Sequence, residues 1–413
     1  MILTDLPTDR IINGFVKGHE GALSPQDVAT RLARDVIVRC EPGRCNVDDL
    51  WPALWALASV LERQLTGRIY IDAQLSSPLP SPVPLGPRCV FGACPDASAL
   101  TIELGTRQGA ASIAGDARLH SISLDPIAGG EKPTPIECFL LAGYLGFQVL
   151  AALADVPAER AEYAQRSLRI EYGVQELLTK LRRPDGFTFV GMGQVGQAFL
   201  ALLWFWFRGD FGAKPLAIID DDKFIKENGR TQILLTHGGG WLHEEKAGFI
   251  SILARTWNAQ AAQLPGKITY AWKCGSNPRV AFVGTHDFDS RRMACVAGFE
   301  EIIECGVGTD MMVPRVTWVS ARGDTRRAKS LFNDRKAWPT QNIASSDWVE
   351  ELKSQPGKCG WVQFEGVSAT APCLGITAVA YALAESTYPE AIRQGAARLW
   401  SQFLPPMLSM HIL

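Results

Sequence analysis

The sequence predicts an α/β fold: a Rossmann-like, doubly wound and mostly parallel sheet in two copies, the first degenerate and the second active. Three observations predict it. A strand–turn–helix–strand succession occurs in each half of the 413 residues, the second turn is glycine-rich, and both halves close on a helix of small residues. Consecutive units of that kind pack as parallel strands joined by right-handed crossovers.

In the first half, DVIVRC (35–40) is a short β-branched run ended by the turn EPGRCN. LWPALWALASVLERQL (50–65) follows with helical period, and RIYID closes a second strand at Asp72. The proline-rich SSPLPSPVPLGP (76–87) reads as an extended surface connection. Phe139 to Ala154 is apolar but too short for a membrane span, and it carries Gln148 and two glycines, so it reads as a buried helix. Charged residues at helical period from Pro157 to Arg183 predict an exposed linking helix over 156–184, between domains at 1–155 and 185–413. In the second half, FTFV (187–190) leads into GMGQVG and the helix QAFLALLWFWF (197–207), and PLAIID ends at Asp220. RVAFVG (279–284) and EIIECGVG (301–308) are the next strands; a polar, basic loop of about 310–358 precedes the small-residue helix at 373–386.

Composition narrows the function classes. With 47% apolar and 20% charged residues, disorder over most of the chain is excluded. A net charge of −2 supplies no basic face for nucleic acid, so a protein or small-molecule partner is expected. None of the 10 cysteines forms C-x-x-C, and MILTDLPTDR lacks the basic start and apolar core of a signal peptide. Together these features predict a reducing, cytoplasmic setting with no membrane association.

The chemistry gathers in the second copy. Gly191, Gly193 and Gly196 form G-x-G-x-x-G between a strand and a helix. They allow a tight turn, approach of a phosphate to backbone, and close helix–strand packing beside an anion-attracting helix N-terminus. Asp220 stands where a carboxylate accepts ribose hydroxyls. The following loop, with Asp222, Asn228, Arg230 and Gln232, suits a triphosphate better than a nicotinamide, because pyrophosphate charge must be neutralised. Lys246 opens the next helix as a further phosphate contact. Asp287, past the strand at 279–284, is a candidate Mg²⁺ ligand, with a structural Asp–Arg pair as the alternative.

The ordered series GMGQVG, AIIDDDKFIKENGRTQ, EEKAG, THDFDSRR and EIIECGVG resembles the adenylation fold of ubiquitin-activating enzymes and bacterial ThiF-type adenylyltransferases, over about 186–310 and more loosely over 359–393. The resemblance implies that Asp220 binds ribose, that Asn228, Arg230, Gln232 and Lys246 surround the phosphates of ATP, and that Asp287 coordinates Mg²⁺. The arginine falls one residue early in N-G-R-T-Q, Phe288 replaces the usual asparagine, and the zinc-binding cysteine pairs of many members are missing. The implied reaction is adenylation of the C-terminal carboxylate of a small ubiquitin-like or sulfur-carrier protein ending in glycine. Thioester transfer to Cys359 and hand-over to a conjugating enzyme are further steps, and Cys373 reads as structural. Arg10 is the N-terminal arginine that would reach across to the triphosphate. The family's pairing of active with inactive domains implies a pseudo-dimer within one chain, its simpler members being homodimers. Two alternatives stay open: an NAD-dependent oxidoreductase and a catalytically dead scaffold.

Overall fold

The computed structural model describes residues 24–40, 47–72, 79–96, 99–104, 112–114, 122–126, 168–172, 184–285, 287–307, 314–320 and 409–412, with scattered positions in 135–149 and 325–329. The first half supplies α1 (Pro25–Leu32), β1 (Val36–Cys40), α2 (Val47–Gln64), β2 (Ile69–Asp72), β3 (Cys89–Phe91), β4 (Leu100–Leu104) and β5 (Ser112–Ala114). They form a sheet of order β3-β2-β1-β4-β5, parallel except where β5 runs against β4.

The second half begins with β8 (Phe187–Val190), α3 (Gln194–Trp206), β9 (Pro215–Ile219) and a 3₁₀ turn at Lys226–Arg230. It continues through α4 (Lys246–Thr256), β10 (Gln260–Leu264), β11 (Val280–Val283), α5 (Phe288–Ala294), β12 (Glu301–Val307), β13 (Pro314–Ser320) and β14 (Ser409–Ile412). The sheet order is β10-β9-β8-β11-β12-β13-β14, with β12–β13 its antiparallel ladder. Both sheets therefore share the order third-second-first-fourth among their leading strands, the doubly wound arrangement expected from the sequence.

Three local readings are corrected. Within the expected linking helix over 156–184, Leu168–Tyr172 is strand β7, parallel to β6 (Ile122–Pro126). Leu168, Ile170 and Tyr172 alternate with Arg169 and Glu171, and a strand partner decides between periods in so short a run. The loop expected at 310–358 begins with β13, where Val316, Thr317 and Val319 favour pairing between β12 and β14. The proline-rich connection is not confined to the surface: Val83 is buried, and the indole nitrogens of Trp51 and Trp55 donate to the carbonyls of Pro80 and Val83.

One apolar cluster runs through both halves. Helix α3 is apolar around its whole circumference, so it needs cover on every side. On one side Phe199 stacks on Phe282 of β11, centroids 4.3 Å apart. Further along, Phe205 packs on Trp55 of α2 at 5.4 Å and on Phe139 at 5.7 Å. No helix among the described residues is long and apolar enough to cross a membrane. Truncating the stacked ring, Phe282→Ala, is expected to cost about 3–5 kcal/mol, read by urea denaturation.

Candidate functional site

In a doubly wound sheet the crevice opens where neighbouring crossovers leave in opposite directions, beyond the carboxyl ends of the strands. Here that point lies between β8 and β11, whose ends carry Gly191 and Gly284. Gly191 has φ +90°, and a Cβ there would come within 3.0 Å of the Thr285 nitrogen. Gly193 is the N-cap of α3, and a Cβ on it would meet nothing within 4 Å. A Cβ on Gly196 would lie 2.7 Å from the Gly191 carbonyl oxygen, so helix and turn touch there. The second glycine thus fronts open space at the N-terminus of a helix, the positive end of its dipole and a surface that suits an anion.

Asp220 clamps this turn. Its Oδ2 accepts from the Met192 N–H at 2.6 Å, and Oδ1 accepts from the Asp222 N–H at 3.0 Å. Burial, opposed mainly by the Lys246 charge, leaves its carboxyl above the usual aspartate range. Lys246, at the start of α4, is buried, and its ammonium sits 2.7 Å from the exposed carboxylate of Asp222. The ligand oxygens of Asp220, Asp221 and Asp222 lie within 4.8 Å of one another, a hard donor set compatible with a divalent cation.

Asn228, Arg230 and Gln232 are all buried. Asn228 Oδ1 accepts from the Ile225 N–H at 2.9 Å, closing the 3₁₀ turn. Gln232 Oε1 accepts from Gln197 Nε2 at 2.5 Å, and Gln197 Oε1 accepts from the Leu234 N–H at 3.1 Å. Arg230 donates to the Gln64 carbonyl at 3.2 Å, across the two halves. Asn228 thus bonds within the loop, Gln232 ties it to Gln197 of α3, and Arg230 ties it to α2.

Asp287 caps α5, accepting from the Asp289 N–H, the Ser290 N–H and the Ser290 hydroxyl at 3.0, 3.2 and 2.8 Å. Its other contact is the Lys267 ammonium at 2.8 Å. Behind it, Arg291 donates to the Thr285 carbonyl and pairs with fully buried Glu304 at 3.1 Å. Arg10, Cys359 and Cys373 lie outside the described residues.

The family profile described as the BilD C-terminal domain matches residues 183–390, just over half of the chain. The chain belongs to that family. Among solved structures, E. coli MccB is 12% identical with a TM-score of 0.32, over 68% of this chain and 85% of MccB. PaaA is 12% identical with a TM-score of 0.30, over 64% and 67%. No curated protein matches.

In this BilD C-terminal domain two site residues escape the motif reading. Lys267, in PGKITY after β10, reaches Asp287 and lies within the fields of Asp221 and Asp222; the Asp287 bond holds its ammonium above the ordinary lysine value. Gln197 looks like one more helix residue, yet it ties the glycine turn to Gln232 and Leu234. A long side chain one residue past a sheet-edge glycine was the available signal for the lysine; none marked the glutamine.

The Asp287 cap carries a pH signature. Burial, the largest single influence, raises its carboxyl; the bonds from Lys267 and Ser290 together outweigh it and hold the group below its usual 3.8. A native value below the unfolded one stabilises the fold above that unfolded value and ceases to do so as pH falls through the native one. Asp287→Ala in EDTA should therefore cost about 1 kcal/mol in urea denaturation at neutral pH, as for loss of a helix cap. The difference should close in acid.

Proposed function

We propose that the crevice between β8 and β11 binds ATP with Mg²⁺ and adenylates the C-terminal carboxylate of a small ubiquitin-like or sulfur-carrier protein, as the resemblance to ThiF-type enzymes implies. The observation that carries this reading is the open approach to Gly193 on a turn that Asp220, within the field of Lys246, and Gln197, bonded to Gln232, hold from either side.

In this reading Gly191, Gly193 and Gly196 admit the phosphates, Asp220 and Asp222 stand on the ribose side, and Lys246 and Arg230 offset phosphate charge. Asn228 and Gln232 keep the loop in shape, and Asp287 would hold Mg²⁺. When bound, the metal would supply positive charge that offsets the charge of the phosphates. The carrier's carboxylate attacks the α-phosphorus, the bond to the β-phosphate bridging oxygen breaks, and pyrophosphate leaves, giving a mixed anhydride. A carboxylate is already a nucleophile, so alignment and charge stabilisation suffice without a protein base. Cys359 is the proposed acceptor of the acyl group, with AMP leaving. The reading makes the chain an enzyme whose partners are the carrier and a conjugating enzyme, its first half standing in for a second subunit. Cytoplasmic location follows from the reducing setting that the cysteines suggest.

ATP–pyrophosphate exchange in the presence of carriers ending in glycine tests it. Exchange should depend on the carrier and fall about 100-fold in Lys246→Ala, the cost of losing one group that stabilises developing charge. Cys359→Ser should keep exchange and lose a thiol-reducible conjugate. Reduced nicotinamide binding in place of ATP would return the oxidoreductase reading. Failure to bind ATP or to catalyse carrier-dependent exchange would reject the proposed activity.

A further inference from the structure

The last turn of α2 is charged, and it is buried. Glu62, Arg63 and Gln64 are 1%, 4% and 1% exposed. A guanidinium taken out of water needs partners on most of its edge, and those of Arg63 come from the other half of the chain. Nη1 donates to the Gly229 carbonyl at 3.3 Å, and Nη2 donates to the carbonyls of Ile233 and Leu235 at 3.1 and 2.6 Å. Burial pulls the group down to about 10, so it remains charged at neutral pH.

Its neighbours brace the same segment. Gln64 gives its carbonyl to Arg230. Glu62 accepts from the Gly86 and Arg88 N–H groups at 2.9 and 3.0 Å and pairs with His237 at 3.0 Å. Helix α2 therefore grips residues 229 to 237 at five points, and that stretch contains Arg230 and Gln232. A 3₁₀ turn followed by irregular backbone presents carbonyls that no ladder or regular helix takes up, and the planar, multi-donor guanidinium suits them as a single ammonium does not. An apolar residue at 63 would fill the space and leave those carbonyls stranded.

We infer that Arg63 is a positioning residue for the loop 226–237, so that the first half of the chain sets the affinity of the second half's crevice for ATP. The link to ATP rests on the function proposed above; the link to the loop does not.

The experiment uses full-length Arg63→Met and Arg63→Lys, with hydrogen exchange of the 226–237 peptide measured without nucleotide, ATP affinity by calorimetry, and melting temperature. Arg63→Met should raise exchange in 226–237 at least tenfold and weaken ATP about tenfold, with exchange in β8 to β9 unchanged. Arg63→Lys should fall between. If Arg63→Met does not fold, Arg63→Lys decides alone. Wild-type exchange in the loop and wild-type ATP affinity in a folded variant overturn the inference, even where melting temperature falls. If wild-type protein binds no ATP, the proposed function fails, while loop exchange still reports whether Arg63 holds the segment.

Discussion

The left-handed turn at Gly191 is the constraint on which the carboxyl edge depends. It leaves so little room that a Cβ on Gly196 would lie 2.7 Å from the Gly191 carbonyl oxygen, and a Cβ on Gly191 itself 3.0 Å from the Thr285 nitrogen. Side chains at either position would push the helix off the strand or the strand off β11. Asp220 then fastens the turn from the next strand through the Met192 N–H, and Gln197 fastens it to the following loop. The polar groups of the crevice are consequently held by one another before any ligand arrives, the preorganisation that binding charged phosphates favours.

Much of this was legible in the residues. FTFV at 187–190 is the strand the structure has, Gly191 makes the tight turn with φ +90°, and Gly196 sits where helix and turn are close. What the sequence hid depends on contacts distant in the chain. Arg63 sits in a helix of apolar period, where a charged residue ordinarily faces water; its partners lie more than 160 positions away. LRIEY carries too few residues to separate a helix period from a strand period, and a neighbouring strand settled the matter. Amides suit phosphates, which is why Asn228 and Gln232 stand out in the sequence; that they also bond Ile225 and Gln197 is a matter of folded geometry that spacing does not reveal.

The two halves meet through unlike chemistries. Aromatic packing of Trp55, Phe139 and Phe205 supplies non-directional cohesion, whereas Arg63, Glu62 and His237 supply directional bonds that fix register. Apolar cohesion alone would tolerate sliding of one half against the other; a fork of bonds to three separate carbonyls does not.

The proline-rich stretch over α2 has its own outcome. Its nitrogens at 80, 82, 84 and 87 bear no hydrogen, so the run contributes mainly acceptors, two of which are capped by indoles. It can lie on the helix like a gasket with few unsatisfied donors beneath it. Its outer rim, short of N–H donors, offers little for a foreign strand to zip onto, so this covering layer does not become a sticky edge.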